Sequence, residues 1–163
     1  MRPERTQVFA QGLVAGLIGY AMVAVLFAIA NVMLGRSPFY TAALLGEATF
    51  YGLRDPAAVT IWPGPILAYN GLHLVVFLAL GLLASWLACL AEKGPELWYV
   101  ATVLFIFVMF HMYGAFLLLT EGMRHAISAW LVMVAGIGAG GAMGAYLLGA
   151  HPRLMAGMRE SAA

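Results

Sequence analysis

Two histidines, His73 and His111, stand inside long apolar runs. An imidazole can donate and accept hydrogen bonds, shuttle protons, or ligate a metal through either ring nitrogen. His73 lies eight residues after Pro65, or ~12 Å along a helix. His111 lies nine residues before Thr120, or ~13–14 Å from the same surface. If their helices are antiparallel neighbours, the two rings meet about one helical turn apart in depth, in the outer half of a membrane.

Three chemistries fit such a pair. The first is a structural hydrogen bond, His to His or to Asn70, Tyr113 or Asn31, since polar side chains often join helices in lipid. The second is a bis-histidine haem b, with His73 and His111 as axial ligands and room for the macrocycle at Gly71, Gly81 and Gly114. The third is a soft metal such as Cu(I), because Met109 and Met112 flank His111. Ten methionines spread through the chain favour methionine as core filler instead. A haem iron is therefore the one metal expected at the pair.

The elements that must position them follow from charge. Only 9% of the residues are charged and 64% are hydrophobic, too little charge to cover a soluble surface. Residues 9–35, 65–91, 97–120 and 126–150 contain no Asp, Glu, Lys or Arg. Each is long enough to cross about 30 Å of hydrocarbon as a helix, and helices satisfy their own backbone there. The expected fold is a single all-α integral membrane domain over 1–163, with four transmembrane helices in an antiparallel bundle. The first run is too long for the apolar core of a signal peptide.

The connection 36–64 differs from the short turns at 92–96 and 121–125. Ser37–Pro38 reads as an N-cap followed by proline at N1. FYTAALLGEATFYGL then predicts an amphipathic helix, interfacial or folded back between the first two spans. The outer ionisable groups, Arg36, Glu47, Arg54, Asp55, Glu121, Arg124 and His125, read as solvated loop residues, the alternative being a small polar surface over the histidine pair. Small residues repeat every four positions at Gly12 and Gly16, and at Gly136, Gly140 and Gly144, with a second row at Gly141, Ala145 and Gly149. Such rows let backbones approach closely, so spans one and four are expected to pack together. One row of span four could also dock another chain or a second copy.

Orientation follows from Arg2, Arg5, Lys93, Arg153 and Arg159 on one side against Arg36, Arg54 and Arg124 on the other. The bias puts both termini in the cytoplasm of an inner membrane. Trp62, Tyr69 and Trp130 fit an outer aromatic belt, and Trp98, Tyr99 and Tyr146 an inner one.

A net charge of +1 and the lack of a basic cluster give no sign of a nucleic-acid partner. A lone Cys89 cannot form an internal disulfide. GIGAGGAMG in the fourth run has no preceding strand, so it is not a dinucleotide loop. No triad, HExxH or phosphate-loop motif occurs, and no charge lies in a span as coupled transporters require. The expected function is a non-catalytic inner-membrane protein, an accessory or interaction subunit of a larger membrane complex such as a respiratory one. The alternatives are a haem b or quinone-linked redox subunit using His73 and His111, and a pore or lipid-binding protein.

Overall fold

The computed structural model describes residues 5–92, 97–117, 119 and 121–152. Among these residues six α-helices follow in order: α1 (Arg5–Met33), α2 (Tyr40–Phe50), α3 (Pro63–Ala91), α4 (Leu97–Leu117), α5 (Glu121–Ala126) and α6 (Ala129–Ala150). A 3-10 turn, Pro56–Ala58, lies between α2 and α3. There is no strand among the described residues. Among the described residues, three helices, α1, α3 and α6, are long and apolar enough to cross a membrane. Arg2, Lys93, Arg153 and Arg159, which carry most of the orientation bias, lie outside the described residues, as do the side chains of Arg5 and Trp98.

α1 packs most extensively on α3 and next on α6; α4 leans on α6 and touches α3 sparingly. The glycines explain the first contact. A Cβ on Gly81 would lie 2.2 Å from the Gly12 carbonyl oxygen and 2.4 Å from the Gly16 nitrogen. Gly12 and Gly16 in turn press on the Leu82 and Leu78 backbone. So the Gly12–Gly16 row meets α3, not α6. Gly81, expected to leave room for a macrocycle, is instead filled by the α1 backbone. α6 meets α1 through other small residues: Gly138 faces Leu26, and Gly19 faces Met143. In the α6 row, Gly136 is buried, Gly140 faces Phe105 of α4, and Gly144 faces open space. The second row, Gly141, Ala145 and Gly149, is exposed.

The chain leaves α1 through Gly35, at φ 70°. That left-handed residue lets the Arg36 N–H close back on the Asn31 carbonyl at 2.9 Å. α2 begins at Tyr40, two residues later than Ser37–Pro38 predicts. Ser37 instead shapes the preceding turn, its Oγ accepting from the Phe39 N–H at 3.3 Å. α2 is folded back rather than laid flat in solvent: Ala43 and Leu44 are wholly buried, and a Cβ on Gly46 would lie 2.1 Å from the Pro65 carbonyl oxygen. The link between α4 and α6, expected as a plain turn, holds the short helix α5. Arg36 reaches it, Nη1 donating to the Ala126 carbonyl at 3.3 Å.

Glu47 is buried, not solvated as its place among the outer charges suggested. Its carboxylate accepts from the Thr60 hydroxyl, from the Thr60 N–H at 3.3 Å and from Trp62 Nε1–H at 3.0 Å. These bonds pin the loop before α3 onto α2. The Thr60 hydroxyl, and with it the other donors, holds the Glu47 carboxyl below its ordinary value of 4.5. A depressed folded pKa gives stability that is present above pH 4.5 and is lost as pH falls below it. Acidification below pH 4.5 should therefore lower the melting temperature of the wild type more than that of Glu47→Gln, measured by circular dichroism in detergent.

At the opposite end, His151 is 3% exposed. Its Nδ1 meets Glu92 Oε1 at 3.0 Å and its Nε2 meets Gln11 Oε1 at 3.0 Å. One ring thus ties the end of α6 to the end of α3 and the start of α1. His151→Ala leaves both partners unpaired and should cost about 1–3 kcal/mol in thermal unfolding. His125→Ala, whose exposed ring lies 4.0 Å from exposed Glu121, should change nothing measurable.

Candidate functional site

His73 stands on α3 and His111 on α4, and the structure brings them together with ring centroids 5.9 Å apart at 34°. Around them α3 presents aromatic rings at helical spacing, where residues four apart stack on one face. Tyr69 stacks on His73 at 5.3 Å. Phe77 stands edge-on to both imidazoles, 4.9 Å from His73 and 6.2 Å from His111. From α1, Tyr20 approaches His73 at 6.3 Å.

The Nε2 atoms of His73 and His111 are both buried with no hydrogen-bond partner among the described residues. The three partners expected for them are occupied or turned away. Asn70 Oδ1 accepts from the Tyr20 hydroxyl at 2.9 Å, and its Nδ2 donates to the Ile66 carbonyl at 2.8 Å. Asn31 accepts from the Thr41 hydroxyl at 3.1 Å and donates to the Pro38 carbonyl at 3.3 Å. Tyr113 is 53% exposed and packs on Phe116. A buried polar atom left unpaired costs about 1–3 kcal/mol, so two together call for an explanation.

Both rings border a cavity of about 800 Å³, within the range of small-molecule sites. Its walls are Tyr20, Ala24 and Phe27 of α1, Thr41 and Leu45 of α2, Asn70 and Val76 of α3, Phe116 of α4 and Val132 of α6. No Asp, Glu, Lys or Arg is among the described residues that border it. Most of the described lining comes from α1, α2 and α3, with His111 and Phe116 of α4 completing it.

The haem expectation meets an obstacle here. An iron held by both Nε2 atoms sits between the imidazoles, with its macrocycle spread around the midpoint. Phe77, within 4.9 and 6.2 Å of rings that are themselves 5.9 Å apart, lies beside that midpoint. A haem in this arrangement would overlap a fully buried side chain. Gly71 and Gly114 do face open space, but the third expected gap, at Gly81, is closed. Protein expressed with ample haem should therefore be colourless; a Soret band lost in His73→Ala would contradict this. No group of three or more His, Cys, Asp or Glu that could hold a metal occurs among the described residues. The side chains of Met109 and Met112 lie outside the described residues.

Tyr20 and Phe77 join the site, and Tyr69, expected in the outer aromatic belt, stacks on His73 within it. The spacing of Tyr69, His73 and Phe77 is a helical stripe and was available as a signal; Tyr20 carries none beyond its polar tip in an apolar run. No known protein family, curated protein or solved structure matches the chain.

Proposed function

We propose that the chain is a small non-catalytic inner-membrane subunit that holds a neutral lipophilic molecule in the cavity bounded by α1, α2, α3 and α4. The observation that carries this reading is a cavity of about 800 Å³ whose described lining holds no charged residue and includes both His73 and His111. The apolar part of such a molecule would fill the cavity, and its polar end would lie against the two histidines on the wall. In this reading α4, 21 uncharged residues long, is a fourth span beside α1, α3 and α6. Together they form the bundle, with α2 on the outer side and both termini in the cytoplasm. The exposed apolar faces of α1, α3 and α6 meet lipid or the other subunits of a membrane complex.

The test is mass spectrometry of organic extracts from purified wild type and from the His73→Leu/His111→Leu double variant. A lipophilic compound should accompany the wild type in near one-to-one amount and be depleted in the double variant. Identical extracts from the two proteins would overturn the reading.

A further inference from the structure

We infer that His73 and His111 form a clasp that stands just short of closure: a direct Nε2–H···Nε2 hydrogen bond that ties α4 to α3 through one proton.

Each nitrogen has the other as its remaining partner. Both Nε2 atoms are buried with essentially no accessible surface, so neither water nor the contents of the cavity reaches them. Asn70, Asn31 and Tyr113 are occupied or turned away. Tyr69 stacks on a face of His73 at 18°, whereas a ring nitrogen bonds in the plane of its ring. Phe77 stands edge-on to both imidazoles and offers at most a ring face, a weaker acceptor than a nitrogen lone pair. Among the described residues, the polar group left for each imidazole is the other imidazole.

The spacing of the rings fits such a bond. An N–H···N bond of about 3 Å between imidazoles that point at each other sets their centres roughly 5 Å apart. The centres stand 5.9 Å apart at 34°, so the bond is open in the structure, and an approach of about 1 Å closes it. α4 has room to make that approach. It touches α3 sparingly, and no atom lies within 4 Å of a Cβ placed on Gly71 or on Gly114, the glycines beside the two histidines.

One proton serves both nitrogens. A neutral imidazole donates from one ring nitrogen and accepts at the other. One ring protonated on Nε2 donates, and the other, protonated on Nδ1, accepts. Neither Nδ1 is among the buried atoms without a partner, so the accepting ring has a place for its proton. His111 and Phe116 are the described residues of α4 that border the cavity. The clasp therefore sets where that wall stands, and anything that displaces one ring alters both nitrogens together.

The test is the nitrogen-15 to nitrogen-15 coupling carried through a hydrogen bond, measured on the full histidine-labelled chain in nanodiscs. The chain has four histidines. His125 is exposed beside Glu121, and both ring nitrogens of His151 meet oxygen, so a coupling between two imidazoles reports on His73 and His111. A cross-peak between one protonated and one bare Nε2 should appear, survive His151→Gln, and vanish in His111→Phe. Its absence from the folded wild type would overturn the clasp. A second measurement follows α4 itself. Spin labels at Leu67→Cys and Leu117→Cys, both exposed positions, in a Cys89→Ser background report the distance between α3 and α4. His111→Phe keeps a flat ring but no nitrogen, and should broaden that distance distribution. An unchanged distribution would show that the pair does not hold α4, which also overturns the proposal.

Discussion

Gly81→Leu should abolish the folded protein, while Gly144→Leu should be tolerated. At Gly81 the first carbon of any side chain would already lie 2.2 Å from the Gly12 oxygen and 2.7 Å from the Gly16 Cα. These obstacles are backbone, so no rotamer change relieves them. The helices must separate, and the close approach that stabilises helix pairs in lipid is lost. Ordinary overpacking costs about 1–3 kcal/mol; an isobutyl group at a backbone crossing should exceed that range. Gly144 has no atom within 4 Å of its Cβ position. Size-exclusion profiles and melting curves of the two variants in one detergent check the contrast. A monodisperse Gly81→Leu protein with a wild-type melting temperature would show that α1 and α3 do not cross here.

Phe77→Ala should be the most damaging truncation in the core, at about 3–5 kcal/mol. The ring is fully buried, and it joins three helices. It touches both imidazoles from α3, and its edge is 2.8 Å from where a Cβ on Gly19 of α1 would stand. Its removal leaves a void next to the site and frees His73 and His111 to reorient. Thermal unfolding should fall sharply, and Phe77→Leu should recover part of the loss by refilling volume. A shift below about 1 kcal/mol would mean that the ring faces lipid rather than the core.

The long apolar runs foretold the helices because burial in lipid demands continuous uncharged stretches, and the ends agree within a few residues. α1 starts at Arg5, ahead of the uncharged run, because a helix can continue through polar residues once it leaves the hydrocarbon. The glycine rows showed that close crossings exist but not which helices cross. Gly12 and Gly16 could serve α6 or α3 equally by spacing, and only the facing Gly81 decides. Ser37–Pro38 carried a good helix-start signal, yet the turn closed by Gly35 and Ser37 places the start at Tyr40. The proximity of His73 and His111 followed from depth alone. Their lack of partners did not, because it depends on Asn70 being occupied by Tyr20, a contact fifty positions apart in the chain. Glu47 looked like a surface charge because its donors, Thr60 and Trp62, come from a loop without periodicity. His151 gave no signal either, since Gln11 and Glu92 lie far away in sequence.

The central claim is that a neutral lipophilic molecule lies in the cavity beside His73 and His111. Nitrogen-15 spectra of histidine-labelled protein report this directly, with assignment by His125→Gln and His151→Gln. The account predicts that stripping the protein of lipophilic molecules shifts the Nε2 resonances of His73 and His111 together, that returning the extract restores them, and that His125 and His151 stay unmoved. Nε2 resonances of His73 and His111 that are identical in loaded and stripped protein would contradict it.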